Sequence, residues 1–408
     1  MTDSESWYSQ AAMERAMKVQ EVILRAMAGK LHWWEAAEII GVSDRTMRRW
    51  RQNYQEHGYD GLFHRQRGKP SPKRIAVATL ENVLRLFQEK YFDLNVRHFH
   101  EKLREVEGIQ LSYTWVKRAL QGAGLVATRK RRGPHRQRRP RRPLPGMLLH
   151  IDGSKHQWFQ DDRWYDLIVV LDDATSEIYY AQLVEEESTR TVMVAVREVI
   201  ERKGLFCALY SDRGSHFFYT PKAGEKVDRE RPTQLGRALH ELGIRMIPAY
   251  SPQARGRMER SYGTWQGRLP QELRLRGIGT LEAANEFLRD QYVAEFNQRF
   301  TVEAAQKGTA FVRCARRDLN WVFSLQHERM VNRDNTVTLD NHILQIGKTK
   351  WRNTLAGVTV TIYEQLEGGI SIRYGPHVVA RFESLAAGNV RSPRKGHANP
   401  MGNSRRAA

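Results

Sequence analysis

Residues 129–142 read RKRRGPHRQRRPRR, nine Lys or Arg in fourteen positions. A run so charged and so poor in apolar side chains cannot bury enough surface to fold alone. It therefore splits the chain in two. The part before it carries helical periodicity only, and the part after it opens on short β-type runs. That order requires a multidomain chain, with a helical front joined by a basic linker to a mixed and then β-rich rear. With 408 residues, and roughly 100–200 residues per domain, several domains have room to form.

The linker belongs to a wider imbalance. Residues 1–143 hold 29 Lys/Arg against 15 Asp/Glu, residues 144–385 hold 32 against 31, and residues 386–408 hold five against none. Solubility does not require segregated charge, so a polyanion is the expected partner of the front third. As a solvated tether the run needs no partner. Against a nucleic-acid polyanion it tracks phosphates or enters a minor groove, which makes Arg129, Lys130, Arg131 and Arg132 candidate contacts. No stretch nears the ~20 consecutive apolar residues of a membrane span. The start, MTDSESWYSQ, is not a secretory signal. The two cysteines, Cys207 and Cys314, exclude a disulfide scaffold and a Cys-rich zinc site, and fit a reducing compartment.

In the front, residues 11–29 place Met13, Met17, Val22, Ile23 and Met27 at helical spacing. AAEIIGVSDRTMRRWRQNY then has a helix-turn-helix layout. Ala36 and Ala37 allow close helix crossing, Gly41 permits a left-handed turn, and Ser43 caps the next helix. Thr46, Arg48, Arg49 and Arg51 would lie on a recognition helix suited to a major groove; the plain alternative is a three-helix core with a solvated basic face. GKPSPK (68–73) is a linker. LSYTWVKRALQGAGL repeats the cap, helix and glycine turn, with Lys117 and Arg118 as a second candidate contact.

Behind the linker, MLLHID, RWYDLIVVLDD and EIYYAQLV read as strands, residues 188–204 as a Ser/Thr-capped helix, and LFCALYSD as a strand. Helical 234–243, a brief strand at 244–247 and two further helices follow. Such an order indicates a mixed sheet with helices on both faces. From 335, short alternating segments suggest a small β-barrel of about five strands. The expected divisions are 1–67, 74–127, the linker 128–144, an α/β core 145–300, a helical connector 301–333, the barrel 334–385, and a disordered basic tail 386–408.

Three acids stand where chemistry would need them. Asp152 closes the first strand of the mixed sheet, Asp212 closes the fourth, and Glu259 opens a helix after 248–252. Strand ends of an α/β sheet gather at one edge, where ligands bind. Three unpaired carboxylates there would repel one another. A pair of Mg²⁺ ions, about 3.5–4 Å apart, would relieve that and support phosphoryl transfer. Singly, strand-end aspartates are commonly turn caps, the reading for Asp172 and Asp173. His150 and His156 flank Asp152 without a partner pattern for zinc; His156 and His216 are each open between packing and a place at the site.

The spacings are 60 and 47 positions, in the contexts LLHIDGSKHQWF, LYSDRGSHF and SPQARGRMERSYGTWQ. This resembles the DDE catalytic core of transposases and retroviral integrases, which have an RNase H-like fold. The spacer before Glu259 is longer than in retroviral integrases, and the excess coincides with YTPKAGEKVDRERP (219–232), which reads as a surface insertion. Over nearly all of 10–385, including EFNQRF (295–300) and DNTVTLDNHILQI (334–346), the chain is similar to bacterial insertion-sequence transposases of the ISNCY type. It departs from retroviral integrases in lacking their His-His-Cys-Cys module. It also has Gly263 and Gln266 where those cores often carry lysines, for which Arg257, Arg260 and Arg268 could substitute as DNA contacts.

The resemblance implies binding to terminal inverted repeats, hydrolysis at the element's ends to free a 3′-OH, and direct transesterification into target DNA. It implies Asp152, Asp212 and Glu259 as catalytic metal ligands, two Mg²⁺ (Mn²⁺ substituting), a homodimer or larger assembly on double-stranded DNA, no membrane partner, and a cytoplasmic, nucleoid-associated bacterial location. The rival readings are a DNA-binding regulator with an inert integrase-like core, an architectural protein on DNA, and a recombinase using Tyr262 or Ser261 as nucleophile.

Overall fold

The computed structural model describes residues 10–63, 75–128, 139–222, 225–228, 230–250, 252–315, 318–349 and 352–383. Arg129, Lys130, Arg131, Arg132 and the tail 386–408 lie outside the described residues. The chain divides into two compact units, residues 1–86 and 87–408.

In the first unit, α1 (Gln10–Met27), α2 (Trp33–Ile40) and α3 (Asp44–His57) surround a core of Val19, Val22, Ile23, Ala26, Ala36, Ala37 and Met47. The α2–α3 turn forms as its sequence requires. Gly41 closes α2 at φ 71°, a left-handed conformation costly for a residue with a Cβ. Ser43 caps α3 by accepting from the Thr46 amide at 3.3 Å. Ala36 and Ala37 are buried, so α2 can approach its neighbours closely.

A further helix, α4 (Val77–Glu89), spans the boundary between the units, and the second unit continues with α5 (Val96–Glu105) and α6 (Tyr113–Gly122). Asn95 and Ser112 cap α5 and α6.

The central sheet has five strands, β1 (Leu149–His156), β2 (Tyr165–Asp172), β3 (Ile178–Val184), β4 (Ala208–Ser211) and β5 (Arg245–Pro248), in the order β3-β2-β1-β4-β5. β1, β2 and β3 form an antiparallel meander, and β4 and β5 add in parallel. This is the mixed sheet that the sequence indicates. Helices α7 (Thr189–Lys203) and α8 (Gln234–Glu241) enclose one apolar layer, with Leu149, Ile151, Ile168 and Val170 of the sheet. The opposite layer joins Leu167, Val169 and Leu171 to α9 (Pro252–Gln266), α10 (Leu269–Leu275), α11 (Leu281–Phe287) and α12 (Val293–Phe300).

Polar groups join α5 to this second helical layer. Arg268 makes a two-pronged pair with Glu101 at 2.7 and 3.1 Å. Arg299 reaches Glu101 and Glu105, and Arg274 grips Asp93 just before α5. Buried Glu272 receives His98 at 2.6 Å, Lys102 at 2.7 Å and Arg276. Burial favours the neutral acid, but the His98 and Lys102 hydrogen bonds outweigh it and hold Glu272 well below the carboxylate range.

The outer edge of β3 is closed by side chains. Asn285 exchanges two hydrogen bonds with the main chain of Leu183, and Asn297 does the same with Ile178, all at 2.8–2.9 Å. Twelve residues of regular helix would set these asparagines about 120° apart. A π-helical turn at Leu288–Tyr292 takes up about one extra residue and returns both to one face. A register shift between Val170 and Leu171 likewise lets Ile178 and Leu183 both face outward.

Two expectations for the C-terminal region change. Within 301–333, expected to be helical, the helix α13 (Leu319–Val322) has four residues and is followed by β6 (Ser324–Met330). The polar, Met- and Glu-containing SLQHERM is drawn into a strand by pairing with β9 along its whole length. In place of a closed barrel, the described residues form two separate sheets. One is β11-β10-β9-β6, the other β7-β8. Here β7 is Thr336–Leu339, β8 His342–Gln345, β9 Thr359–Gln365, β10 Ile370–Tyr374 and β11 His377–Phe382. They share one core that includes Val337, Leu344, Ile362 and Ile372. Alternation in sequence identifies strands but not their partners, and β6 and β11 remain at opposite edges.

Candidate active site

Leu149 pairs with Leu209 and His150 with Tyr210 across the parallel strands β1 and β4. That register offset of 60 equals the separation of Asp152 from Asp212, so each aspartate stands two residues beyond the last β1–β4 pair. Asp212 follows β4 directly. Asp152 is within β1 rather than at its end, because residues 153–156 continue the pairing with β2.

The helix α9 runs alongside β1. Arg257 donates to Asp173 near His150, the Tyr262 hydroxyl donates to the Asp152 carbonyl, and Gln266 donates to Ser154 Oγ at 2.9 Å. Nine helical residues and four strand residues both rise about 13 Å, so helix and strand keep step. Glu259 lies one turn before Tyr262, and its side chain is exposed. Buried Met258, Tyr262 and Trp265 press the adjoining face onto the sheet.

Two motif glycines make room around the aspartates. A Cβ on Gly153 would collide with the Glu187 carboxylate. One on Gly214 would meet Asp212 Oδ1 at 3.0 Å and the His216 ring at 3.1 Å. Asp212 Oδ1 also accepts from the Gly214 amide at 2.8 Å, which shapes the turn after β4. Glu187 bonds His216 Nε2 at 3.0 Å, and its own amide is held by Asp166. Burial opposes protonation of His216, but Glu187, Asp212 and Asp152 outweigh it and raise its pKa. Of the two histidines left open, His216 is therefore within the field of the acids. His156 contacts Trp158 edge-on, and burial lowers its pKa. Glu187, within the acidic run EEES, carries no pattern that would have singled it out.

Asp172 and Asp173 part company. Asp172 caps the β2–β3 turn, accepting from Ala174 and Thr175 amides at 2.8 and 3.0 Å. Asp173 is not a turn cap. Fully buried, it receives His150 Nε2 at 2.7 Å, the Arg142 amide at 2.8 Å, and the guanidinium groups of Arg139 and Arg257. Burial favours the protonated acid, but His150, the Arg142 amide and Arg257 hold Asp173 ionised, well below the carboxylate range.

Among the candidate DNA contacts, Arg48, Arg49 and Arg51 are exposed on α3, with Arg51 stacked 4.6 Å from the Trp33 ring centre. Thr46 is half-buried against Ser43. Lys117 and Arg118 are exposed on α6, and Arg260 is exposed on α9. Two arginines are engaged within the protein. The Arg257 side chain, 10% exposed, is held by Asp173, and the Arg268 side chain, 8% exposed, by Glu101. The buried Tyr262 hydroxyl is held by main-chain carbonyls of Asp152 and Leu167, which disfavours it as a nucleophile.

Among the described residues, no three His, Cys, Asp or Glu side chains converge closely enough to hold a metal ion. The donor chemistry nonetheless suits a hard divalent cation. Asp152 in β1 and Asp212 just after β4 both act with Glu187 to raise the His216 pKa. Elsewhere, a cavity of about 740 Å³ lies beside β5 and α8, lined by Phe218, Tyr219, Arg231, His240 and Met246 among others. None of the three acids lines it.

Comparison with known proteins adds the following. Residues 20–71 match the helix-turn-helix domain family and residues 46–120 the homeodomain-like domain family. A Sinorhizobium fredii protein named "Putative transposase y4bF" is 30% identical over 90% of this chain and 80% of its own length. The Streptococcus pneumoniae transposase for insertion sequence IS1202 is 28% identical over 68% of this chain and 67% of its own. The HTLV-2 integrase catalytic core domain, solved in complex with magnesium, aligns with 36% of this chain and 88% of its own, at 16% identity and a TM-score of 0.28. A simian T-cell lymphotropic virus intasome chain aligns with 52% of this chain and 69% of its own, at 16% identity and a TM-score of 0.29.

Proposed function

This chain belongs to the insertion-sequence transposases, and we propose that it acts by DDE chemistry through Asp152, Asp212 and Glu259. The observation that supports the reading is the β1–β4 register offset of 60, the same as the separation of Asp152 from Asp212, together with the hydrogen bonds that tie α9 to β1 on the turn after Glu259. The sheet order β3-β2-β1-β4-β5 supports an RNase H-like core.

In this reading Asp152 and Asp212 hold divalent cations, and Glu259 completes the set. Such ions activate an attacking oxygen and stabilise the leaving one. The protein's own part is placement. Tyr262 and Gln266 tie α9 to β1, which fixes the helix that carries Glu259. The reaction is hydrolysis at an element end, which frees a 3′-OH, followed by attack of that 3′-OH on target DNA. Arg48, Arg49 and Arg51 on α3, and Lys117 and Arg118 on α6, bind the terminal repeats. One site cuts one strand and an element has two ends, so a homodimer or larger assembly forms on DNA.

A cleavage and strand-transfer assay tests this. It uses DNA carrying the element's own terminal repeats, with Mg²⁺ or Mn²⁺, for wild type and Glu259→Gln. Nicking and joining by wild type, with binding alone by Glu259→Gln, is the expected result. Equal, metal-independent binding with no cutting by either protein would instead identify a DNA-binding regulator.

A further inference from the structure

Asp173 has no place in the chemistry just described. It is the second of two consecutive acids, it is fully buried, and it gathers groups from three distant parts of the chain. Arg139 comes from the end of the basic run, His150 from β1, and Arg257 from α9. A buried carboxylate is costly unless its oxygens are satisfied. Here Oδ1 takes both arginines and the histidine, and Oδ2 takes the Arg142 amide. Arg257 in turn donates to the Arg139 carbonyl at 2.9 Å. Arg141 wraps the same turn, donating to the Asp173 carbonyl at 3.0 Å and to Ser176 Oγ at 2.8 Å.

The consequence lies two residues further along α9. Glu259 is exposed, so its own side chain does not fix it. What fixes it is the helix on either side, tied down by Tyr262 after it and by Arg257 before it. With the first tie absent, α9 could fray from its start as far as the Tyr262 anchor, and Glu259 lies in that span.

The geometry points to Asp173 as a positioning residue that clamps Arg257, holds the start of α9 against the β2–β3 turn, and sets where Glu259 stands relative to Asp152. Through Arg139 the same carboxylate ties the chain just ahead of β1 to that helix. The inference rests on the transposase reading of Glu259. It reassigns Arg257, which the sequence suggests as a DNA contact.

Arg257→Gln is the main test variant, since it removes one partner and leaves Arg139 and His150 on Asp173. Asp173→Asn is the second. Single-turnover nicking at saturating repeat DNA should fall about tenfold to a hundredfold, as expected when a reacting group is displaced by about an ångström. Affinity for repeat DNA, and its salt dependence, should stay as in wild type. Amide hydrogen exchange across residues 256–262 should accelerate in both variants without DNA or metal. Arg257→Lys should recover part of the rate, because an ammonium can still meet Asp173. In a Glu259→Gln background, Arg257→Gln should leave Mn²⁺ affinity unchanged, although it weakens that affinity in wild type.

Unchanged exchange across α9 overturns the clamp, whatever the enzyme does. A rate loss explained by weaker DNA binding, with a salt slope reduced by about one, makes Arg257 a phosphate contact and also overturns it. If wild type does not nick, the transposase reading fails by itself, and the exchange measurement still decides the clamp.

Discussion

The Tyr262 hydroxyl donates to the main-chain carbonyls of Asp152 and Leu167, so one phenol ties α9 to two neighbouring strands. Tyr262→Phe keeps the ring in its apolar layer but leaves two buried carbonyls short of a donor. A destabilisation of about 1–3 kcal/mol is expected from chemical denaturation. Nicking should fall but persist, and no covalent protein–DNA adduct should form with either protein. An adduct seen with wild type and lost in Tyr262→Phe would restore the tyrosine-nucleophile reading.

Asp212→Asn should separate chemistry from folding. Asparagine can still accept from the Gly214 amide, and it removes one of the charges acting on His216. Nicking and joining should drop by about 10²-fold or more, the effect of losing several kcal/mol of charge stabilisation. Repeat binding and melting temperature should stay near wild type. A variant that still nicks at the wild-type rate would exclude Asp212 from the active set.

Stability should fall between about pH 7.5 and 5.5. Burial lowers the pKa of His98, His150 and His156, so the unfolded chain binds protons below about 6.5 that the folded chain does not. Their contributions are complete above that value and are lost as pH falls. His216 has the opposite sign. Its raised pKa gives stability present below about 6.5 and lost as pH rises through the folded value. Asp173 and Glu272, both held low, add to the decline only below about pH 4. Thermal melts across this range should flatten in His98→Gln and steepen in His216→Asn. Parallel curves for all three proteins would refute the assignment.

Asn297→Ala should cost about 1–3 kcal/mol, since it strips both hydrogen bonds from Ile178 at the β3 edge. Asn297→Asp should recover little, because a carboxylate cannot donate to the Ile178 carbonyl. Denaturant titration measures both. Equal stability of Asn297→Ala and wild type would mean that water replaces the side chain at that edge.

Much of the fold was legible because the signals are local or periodic. Gly41 and Ser43 announce the α2–α3 turn within three positions. The spacing of Asp152 and Asp212 turns out to be a strand register. Asp173 was not legible, because its partners lie 34 positions before it and 84 after it, and a doubled aspartate at a strand end looks like a turn. Asn297 sits in the EFNQRF motif, yet its task depends on a π turn that no periodicity reveals. The strand β6 was hidden for a similar reason, since SLQHERM takes its conformation from β9 rather than from its own composition.

The ion pairs joining α5 to α10 and α12 bear on where a cut would fall. Arg268, Arg274 and Arg299 fasten α5 and the residue Asp93 before it to the same helical layer that holds α9. Lys117 and Arg118 belong to the helix that packs beside α5. If α6 reads a repeat, the bond to be broken lies at a set distance from what is read. The module then works as a ruler. Inserting or deleting base pairs between the recognised sequence and the element's end would move the cut rather than abolish binding, and because the pairs are partly buried, salt would leave its position unchanged for as long as the DNA stays bound.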